Sequence, residues 1–133
     1  MNKIFVYGTL KKGGRLHHRV SESKFICTTQ TNESNFVMSG FGFSFPVVSI
    51  KPKDGLAILG ELYEVNDECL AVLDQIERGY TRRTVSLDSG DEAFIYLDNG
   101  RGSFCSKECS KIIVTKTETG KRCYEWLNND YDV

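Results

Sequence analysis

The stretch Lys3-Ile4-Phe5-Val6-Tyr7-Gly8-Thr9-Leu10 decides how the chain begins to fold. The apolar, β-prone run that ends at Tyr7, followed by a glycine, predicts a strand that stops in a turn. A glycine there lets backbone N–H groups point outward, so the turn can hold an anionic oxygen without a charged side chain. An ordinary connection between a strand and a loop is the alternative, and this stretch alone leaves both open.

The clearest helix signal lies far from this turn. Asn66 or Asp67 suits the N-cap, and Gly79 ends the pattern. Glu77 falls in the last turn, where a carboxylate opposes the helix dipole at a cost of roughly a few tenths of a kcal/mol. That cost suggests a role for Glu77, although a solvent-facing side chain is the alternative. The buried stripe is predicted at Leu70, Val72, Leu73 and Ile76.

Short β-prone segments predict that the rest of the chain is mainly sheet. Residues 25–29 and 36–38 are expected to form a hairpin, and residues 81–88 and 92–97 an antiparallel pair. A strand at 111–116 precedes a segment, 122–127, that forms either a strand or a helix. In the long strand 56–65, Gly60 predicts a bulge or the close approach of another backbone, which would curl the sheet toward a barrel.

Two glycine-rich segments are candidates for the edge of a pocket. Residues 11–19 are basic and contain His17 and His18. Nucleic-acid binding is one interpretation of this run, but the balanced total charge favours a solvated loop at a pocket rim whose histidines touch a substrate. Residues 40–46 carry three phenylalanines before Pro46. We expect at least two of these rings to pack in the core, and a pocket wall is the alternative.

Composition limits the possible classes of protein. A length of 133 residues predicts a single domain, 1–133, and 40% hydrophobic with 26% charged residues is typical of a globular protein. The formal net charge of −1 gives no strong field to recruit nucleic acid or an anionic membrane. Neither partner is therefore expected.

The sequence also lacks an apolar run long enough for a membrane span and the layout of a signal peptide, so we expect a cytoplasmic protein. An odd number of cysteines without a framework predicts free thiols. Cys105 and Cys109 supply two ligands where structural zinc needs about four, so no metal is expected. The five cysteines are Cys27, Cys69, Cys105, Cys109 and Cys123.

Four sequence segments, in this order along the chain, resemble the motifs of a known family. They are Val6-Tyr7-Gly8-Thr9-Leu10, Gly60-Glu61-Leu62-Tyr63-x-Val65, Leu73-Asp74-x-x-Glu77-x-x-Tyr80-x-Arg82-x-x-Val85 and Ala93-x-x-Tyr96. Together they resemble the γ-glutamylcyclotransferase-like, or AIG2-like, family, and particularly its γ-glutamylamine cyclotransferase branch. The resemblance covers about residues 3 to 97. It departs from the family at Phe45, where a tyrosine is frequent, and it has no recognisable counterpart after Tyr96.

The resemblance implies an α+β fold with a small, mixed, barrel-like sheet and few helices. It also implies an enzyme that needs no cofactor and releases 5-oxoproline from a small γ-glutamyl amine or amide. Glu77 would be the catalytic acid and base. The substrate-binding turn would be formed by Tyr7, Gly8, Thr9 and Leu10.

The chemistry is consistent with these roles. The substrate's own α-amine attacks its side-chain carbonyl, so one carboxyl group and a set of oxyanion donors suffice. Tyr80, Arg82 and Tyr96 are candidate supporting groups in substrate binding. Arg82 pairs either with the substrate carboxylate or with a structural acid. The oligomeric state and the leaving amine stay open.

Two other functions are compatible with the sequence. The same fold can serve as a non-catalytic domain that binds a small ligand or a partner. A cysteine acyltransferase or hydrolase using Cys27 with His17 or His18 is the other alternative, and it lacks a nucleophile motif.

Overall fold

The computed structural model describes residues 1–42, 44–98 and 109–128. These ranges form mostly sheet with one α-helix, α1 (Asp67–Ile76), and a short 3₁₀-helix (His17–Arg19). This composition confirms the predicted α+β class. The strands are β1 (Asn2–Val6), β2 (Lys24–Gln30), β3 (Phe36–Phe41), β4 (Phe45–Ile50), β5 (Ala57–Val65), β6 (Tyr80–Ser86), β7 (Glu92–Asp98), β8 (Ile112–Lys116) and β9 (Arg122–Trp126).

The main sheet is mixed and is built around β5. Its order is β6-β7-β1-β5-β9-β8, and β2 pairs with β5 as well. β1 runs antiparallel to β5 and parallel to β7, whereas β9 runs parallel to β5. β1 pairs with Glu61–Val65 of β5, and β9 pairs with Ala57 and Ile58. The exit of β9 is therefore close to the point where β1 ends.

Contacts between the ends of β2 and β6 curve the sheet. Thr31, which follows β2, bridges Leu87, which follows β6. The backbone N–H of Asp88 also donates to the carbonyl of Gln30 at 3.0 Å. These contacts join the two outer strands of the order β2-β5-β1-β7-β6 and give the sheet its barrel-like curvature. β3 and β4 form a separate two-stranded sheet.

β1 is buried on both faces. Ile4 and Val6 pack with Leu70 and Leu73 of α1, while Phe5 belongs to the opposite core together with Tyr7 at the strand end. This division follows from the two-residue period of a strand. Packing on both faces holds β1 and the turn after it in place.

The predicted hairpin between residues 25–29 and 36–38 is wrong. β2 pairs with β5, and β3 pairs with β4. Strand-like alternation fixes which face of a strand is buried but not which strand lies beside it. A tight turn between Phe41 and Phe45 lets β3 pair with β4, its neighbour in sequence. β2 pairs instead with β5, which is nine residues long. The segment 122–127 resolves as strand β9.

The apolar stripe of α1 is narrower than predicted. Leu70 and Leu73 are buried, but Val72 is 42% exposed, so its predicted burial is wrong. Two residues correspond to about 200° around a helix, which places Val72 opposite Leu70. No helix within the described ranges has the length and hydrophobicity needed to cross a bilayer.

Gly60 permits the close approach that its position predicts. A Cβ on Gly60 would lie 2.4 Å from the carbonyl oxygen of Val6 and 2.7 Å from the Phe5 ring. The irregularity in pairing lies instead in β2, between Phe25 and Cys27. Gly60 thus lets β5 pass against the end of β1.

Removing the N-cap of α1 is expected to cost about 1 kcal/mol of unfolding free energy. The Asn66 side chain accepts a hydrogen bond from the N–H of Cys69 at 2.8 Å, and Asn66→Ala leaves that donor without its partner. Urea unfolding measures the change, with Asn66→Ser as the control that keeps a capping oxygen. Equal stability of the alanine and serine variants would contradict the assigned cap.

Candidate active site

A cavity of about 190 Å³ opens between the turn after β1 and the end of α1. The turn and the Glu77 side of α1 therefore meet at one hollow, as the sequence-based hypothesis requires. Arg82 does not contribute to this wall. The predicted residues that line the cavity are Tyr7, Gly8, Thr9, Leu10, Glu77, Tyr80 and Tyr96.

Glu77 is held by the backbone that ends α1. Its N–H donates to the carbonyl of Leu73 at 2.9 Å, and its carbonyl accepts from the N–H of Tyr80 at 3.0 Å. Glu77 is the C-cap residue and is half-buried. Because hydrogen bonds fix its backbone on both sides, Glu77 is held at the cavity wall.

The turn after β1 offers a row of backbone donors. Internal hydrogen bonds run from the N–H of Lys11 to Gly8 O at 3.0 Å and from the N–H of Leu16 to Thr9 O at 3.1 Å. Within the ranges that the structure describes, the N–H groups of Gly8, Thr9 and Leu10 donate to no protein acceptor. Thr9 and Leu10 are buried, and buried N–H groups require a partner. Successive free N–H groups at a cavity wall suit an anionic oxygen.

Pro46 packs directly against the turn. A Cβ on Gly8 would lie 2.6 Å from Cγ and 2.8 Å from Cδ of the proline ring. Only a glycine therefore fits at this position without movement of the turn or of β4.

A chain of hydrogen bonds ties the elements around the cavity together. The Tyr7 hydroxyl donates to the Tyr96 carbonyl at 2.6 Å, and the Tyr96 hydroxyl donates to Asp74 Oδ1 at 2.7 Å. Arg82 Nη1 donates to Asp74 Oδ2 at 2.8 Å. Of the two partners considered for Arg82, the structure thus supplies a structural acid. The chain links the end of β1 to β7, α1 and β6.

Tyr7 and Tyr96, the two tyrosines in this network of hydrogen bonds, stay neutral near physiological pH. Burial raises the pKa of Tyr7 well above its ordinary value, and electrostatic interaction with Tyr80 and Glu77 raises it further. Burial, followed by the hydrogen bond to Asp74, likewise raises the pKa of Tyr96. Both hydroxyls are therefore protonated and donate the hydrogen bonds to Tyr96 O and Asp74.

A second depression shares part of the cavity wall. Glu77, Tyr80 and Tyr96 line both spaces. Arg82 and Asp74 line the depression together with Arg78. Glu77 therefore lies between an inner cavity and an outer space that carries charges of both signs.

The glycine-rich segments also reach the site. Phe45 lines the cavity, and Phe41 is 44% exposed and stacks on Phe45 at a ring distance of 5.0 Å. Phe41 therefore does not pack in the core, and Phe45 takes the alternative position in the pocket wall. Phe43 lies outside the described residues. Arg15 and Leu16 line the cavity, as expected of a rim loop.

The thiols and histidines are dispersed in the described part of the chain. Cys27, Cys69, Cys109 and Cys123 are free, and Cys105 lies outside the described residues. No cluster of three or more His, Cys, Asp or Glu side chains able to hold a metal ion occurs in that part. His17 Nδ1 lies 2.9 Å from the carbonyl oxygen of Leu10, so it is engaged within the loop.

Two contacts at the turn could not be predicted from the sequence. Asn128 Nδ2 donates to Gly8 O at 2.9 Å across 120 positions of sequence. The Lys11 ammonium, expected in a solvated loop, is buried and donates to Trp126 O at 2.9 Å. No local pattern signals either contact, because both depend on where β9 lies.

The model of the family described as "Gamma-glutamyl cyclotransferase, AIG2-like" matches residues 4–125. Gamma-glutamylaminecyclotransferase A of Danio rerio is 32% identical over 107 residues, which are 70% of this chain and 66% of that protein. The chain spans 36%, 66% and 51% of the lengths of the first three curated relatives that it matches.

Solved structures agree in fold. An AIG2-like protein from Mus musculus matches with a TM-score of 0.63 and 31% identity, over 73% of this chain and 76% of that chain. YkqA from Bacillus subtilis matches with a TM-score of 0.64 and 34% identity, over 74% of this chain and 36% of that one.

Proposed function

The chain belongs to the gamma-glutamyl cyclotransferase, AIG2-like family, and from this premise we propose that it is a γ-glutamyl cyclotransferase acting on a γ-glutamyl amine or amide. The single observation that carries the proposal is the shared cavity, where the end of α1 meets the amides after β1, which donate to no acceptor in the described part of the chain. The curated relative from Danio rerio carries the name of such an enzyme.

The proposed reaction is an intramolecular acyl transfer. The α-amine of the γ-glutamyl group attacks the δ-carbonyl carbon, forming the ring C–N bond, and the bond from that carbon to the leaving amine breaks. The products are 5-oxoproline and the free amine, and no water, oxidant or enzyme nucleophile is consumed. Holding the substrate in a folded conformation draws on the ~7–11 kcal/mol that orientation can contribute.

Glu77 carries the proton transfers in this proposal. The α-amine is an ammonium near neutral pH and must lose a proton before it attacks, while the departing amine must gain one. A single carboxylate beside the reacting carbon can accept the first proton and donate it to the leaving group. Of the predicted site residues on the cavity wall, Glu77 is the carboxylate.

The turn after β1 stabilises the negative charge. In the tetrahedral intermediate the carbonyl oxygen becomes an anion. The N–H groups of Gly8, Thr9 and Leu10, which have no acceptor among the residues that the structure describes, are suited to bind it. Tyr7 and Tyr96 act through position, since their hydroxyls are already bonded to Tyr96 O and Asp74. These assignments propose for this chain the roles that the family resemblance implies.

The outer depression is the proposed place of the leaving amine. Because Glu77 lines both spaces, a γ-glutamyl group in the cavity directs its amide nitrogen past this carboxylate. Asp74 and Arg82 there are paired with each other, so they present a fixed and nearly neutral surface. Arg82 would then contact the leaving group and not the α-carboxylate.

Incubation with a panel of γ-glutamyl amines is expected to yield 5-oxoproline and free amine in equal amounts. Chromatography with mass detection measures both products. The matched control is the same substrate with its α-amine acetylated, which cannot cyclise and should stay intact. Silence across the panel would favour a non-catalytic ligand-binding domain, and cleavage of the acetylated substrate would overturn the intramolecular route.

A further inference from the structure

The Gly8 carbonyl has two hydrogen-bond donors of different origin. Lys11 N–H donates from within the turn at 3.0 Å, and Asn128 Nδ2 donates from the segment after β9 at 2.9 Å. The contact with Asn128 joins the substrate-binding turn to a part of the chain beyond the family match, which ends at residue 125.

Peptide geometry makes this carbonyl important for the site. The C=O of Gly8 and the N–H of Thr9 belong to one planar trans peptide, so they point in opposite directions. The hydrogen bond from Asn128 fixes the direction of Gly8 O, and it therefore also fixes the Thr9 N–H, which points away from Asn128. Thr9 lines the cavity. Rotation of this peptide would replace a donor with a carbonyl oxygen and remove the anion site.

The segment that carries Asn128 is anchored on both sides of the contact. Trp126 is 1% exposed, and its carbonyl accepts a hydrogen bond from the buried ammonium of Lys11 at 2.9 Å. The N–H of Leu127 donates to the carbonyl of Lys111 at 2.8 Å. Asn128 is thus held by β9 packing and not by the turn alone, so it can impose a position on Gly8.

The contact with Gly8 orients the Asn128 side chain. Its Oδ1 is buried and has no hydrogen-bond partner among residues 1–42, 44–98 and 109–128, while its Nδ2 faces Gly8 O. Buried polar atoms without partners are rare in folded proteins. The Oδ1 acceptor of Asn128 is therefore left unused, while its Nδ2 donor is directed at the turn.

From these contacts we propose that Asn128 is a positioning residue that fixes the Gly8–Thr9 peptide with its N–H directed into the cavity. The inference rests on the proposed function, because it assigns to that N–H a part in binding the substrate's anionic oxygen. It gives the C-terminal hairpin of β8 and β9 a role in the site.

Asn128→Ala and the isosteric Asn128→Asp both remove the donor, and both are expected to lower kcat about 10- to 100-fold, since displacement of an oriented group by ~1 Å can cost 10²-fold. The aspartate variant separates the hydrogen bond from packing. The matched control is Asn32→Ala, which removes an Asn hydrogen bond of equal length, 2.9 Å, to Asp88. This control should keep wild-type kcat.

The ¹⁵N–¹H signals and hydrogen exchange of Gly8, Thr9 and Leu10 give a readout that does not need turnover. Both Asn128 variants should shift the Thr9 signal and speed its exchange, with unchanged signals in α1. Wild-type kcat together with an unchanged Thr9 amide in Asn128→Asp would overturn the inference while leaving the proposed function intact. A Thr9 change in a protein that turns over no substrate would support the positioning role and reject the proposed function.

Discussion

Glu77→Gln is expected to lower kcat by about 10²–10⁴-fold while leaving the fold unchanged, since the amide can neither accept the ammonium proton nor return one to the leaving amine. Glutamine has nearly the same shape, so the cavity and ligand binding should persist. Release of 5-oxoproline under saturating substrate measures kcat, and calorimetric titration with the product measures binding.

Stability should move in the opposite direction from activity. Glu77 is the C-cap residue of α1, where a negative charge opposes the helix dipole by roughly 0.3–1 kcal/mol. Its neutralisation should leave unfolding free energy equal to or slightly above that of the wild type. The matched control is Glu68→Gln in the first turn of the same helix, which should keep full activity and lose a favourable dipole interaction. Near-normal turnover in Glu77→Gln would remove Glu77 from the mechanism.

Local chemistry in the sequence was enough to predict the parts of the molecule that local rules determine. The apolar run ending at Gly8 predicted β1 and its turn, and Asn66 with Leu70 and Leu73 predicted α1. The strands β6 and β7 followed from alternation around Gly90. In each case the signal lies within the residues of the element itself.

Contacts between segments that lie far apart in the sequence could not be predicted in the same way. The β-prone residues of β2 predicted a strand, but they do not signal its pairing with β5, which lies about 35 residues away along the chain, and β3 pairs with β4 instead. Asn128 shows the same limit at the site, because its contact with Gly8 exists only once β9 has paired with β5. An asparagine near the end of a chain carries no local signal of such a role.

Gly8→Ala is expected to lower kcat/KM about 10²-fold and to reduce unfolding free energy by about 1–3 kcal/mol. The new methyl group would lie 2.6 Å from Pro46 Cγ, and a proline ring cannot rotate away. The turn or β4 must therefore shift, which displaces the N–H groups that face the cavity. Steady-state kinetics and urea unfolding measure the two effects.

A second substitution tests whether this steric contact is the cause. Pro46→Ala removes the ring atoms next to Gly8, so the Gly8→Ala/Pro46→Ala pair should recover much of the lost kcat/KM. Gly120→Ala is the matched control, because Gly120 has a φ of +87° and a methyl group added there would meet no atom within 4 Å. This variant should lose stability through backbone strain and keep its activity. Wild-type kinetics in Gly8→Ala would mean that the turn tolerates displacement, and the amides after β1 would then not be the groups that stabilise the oxyanion.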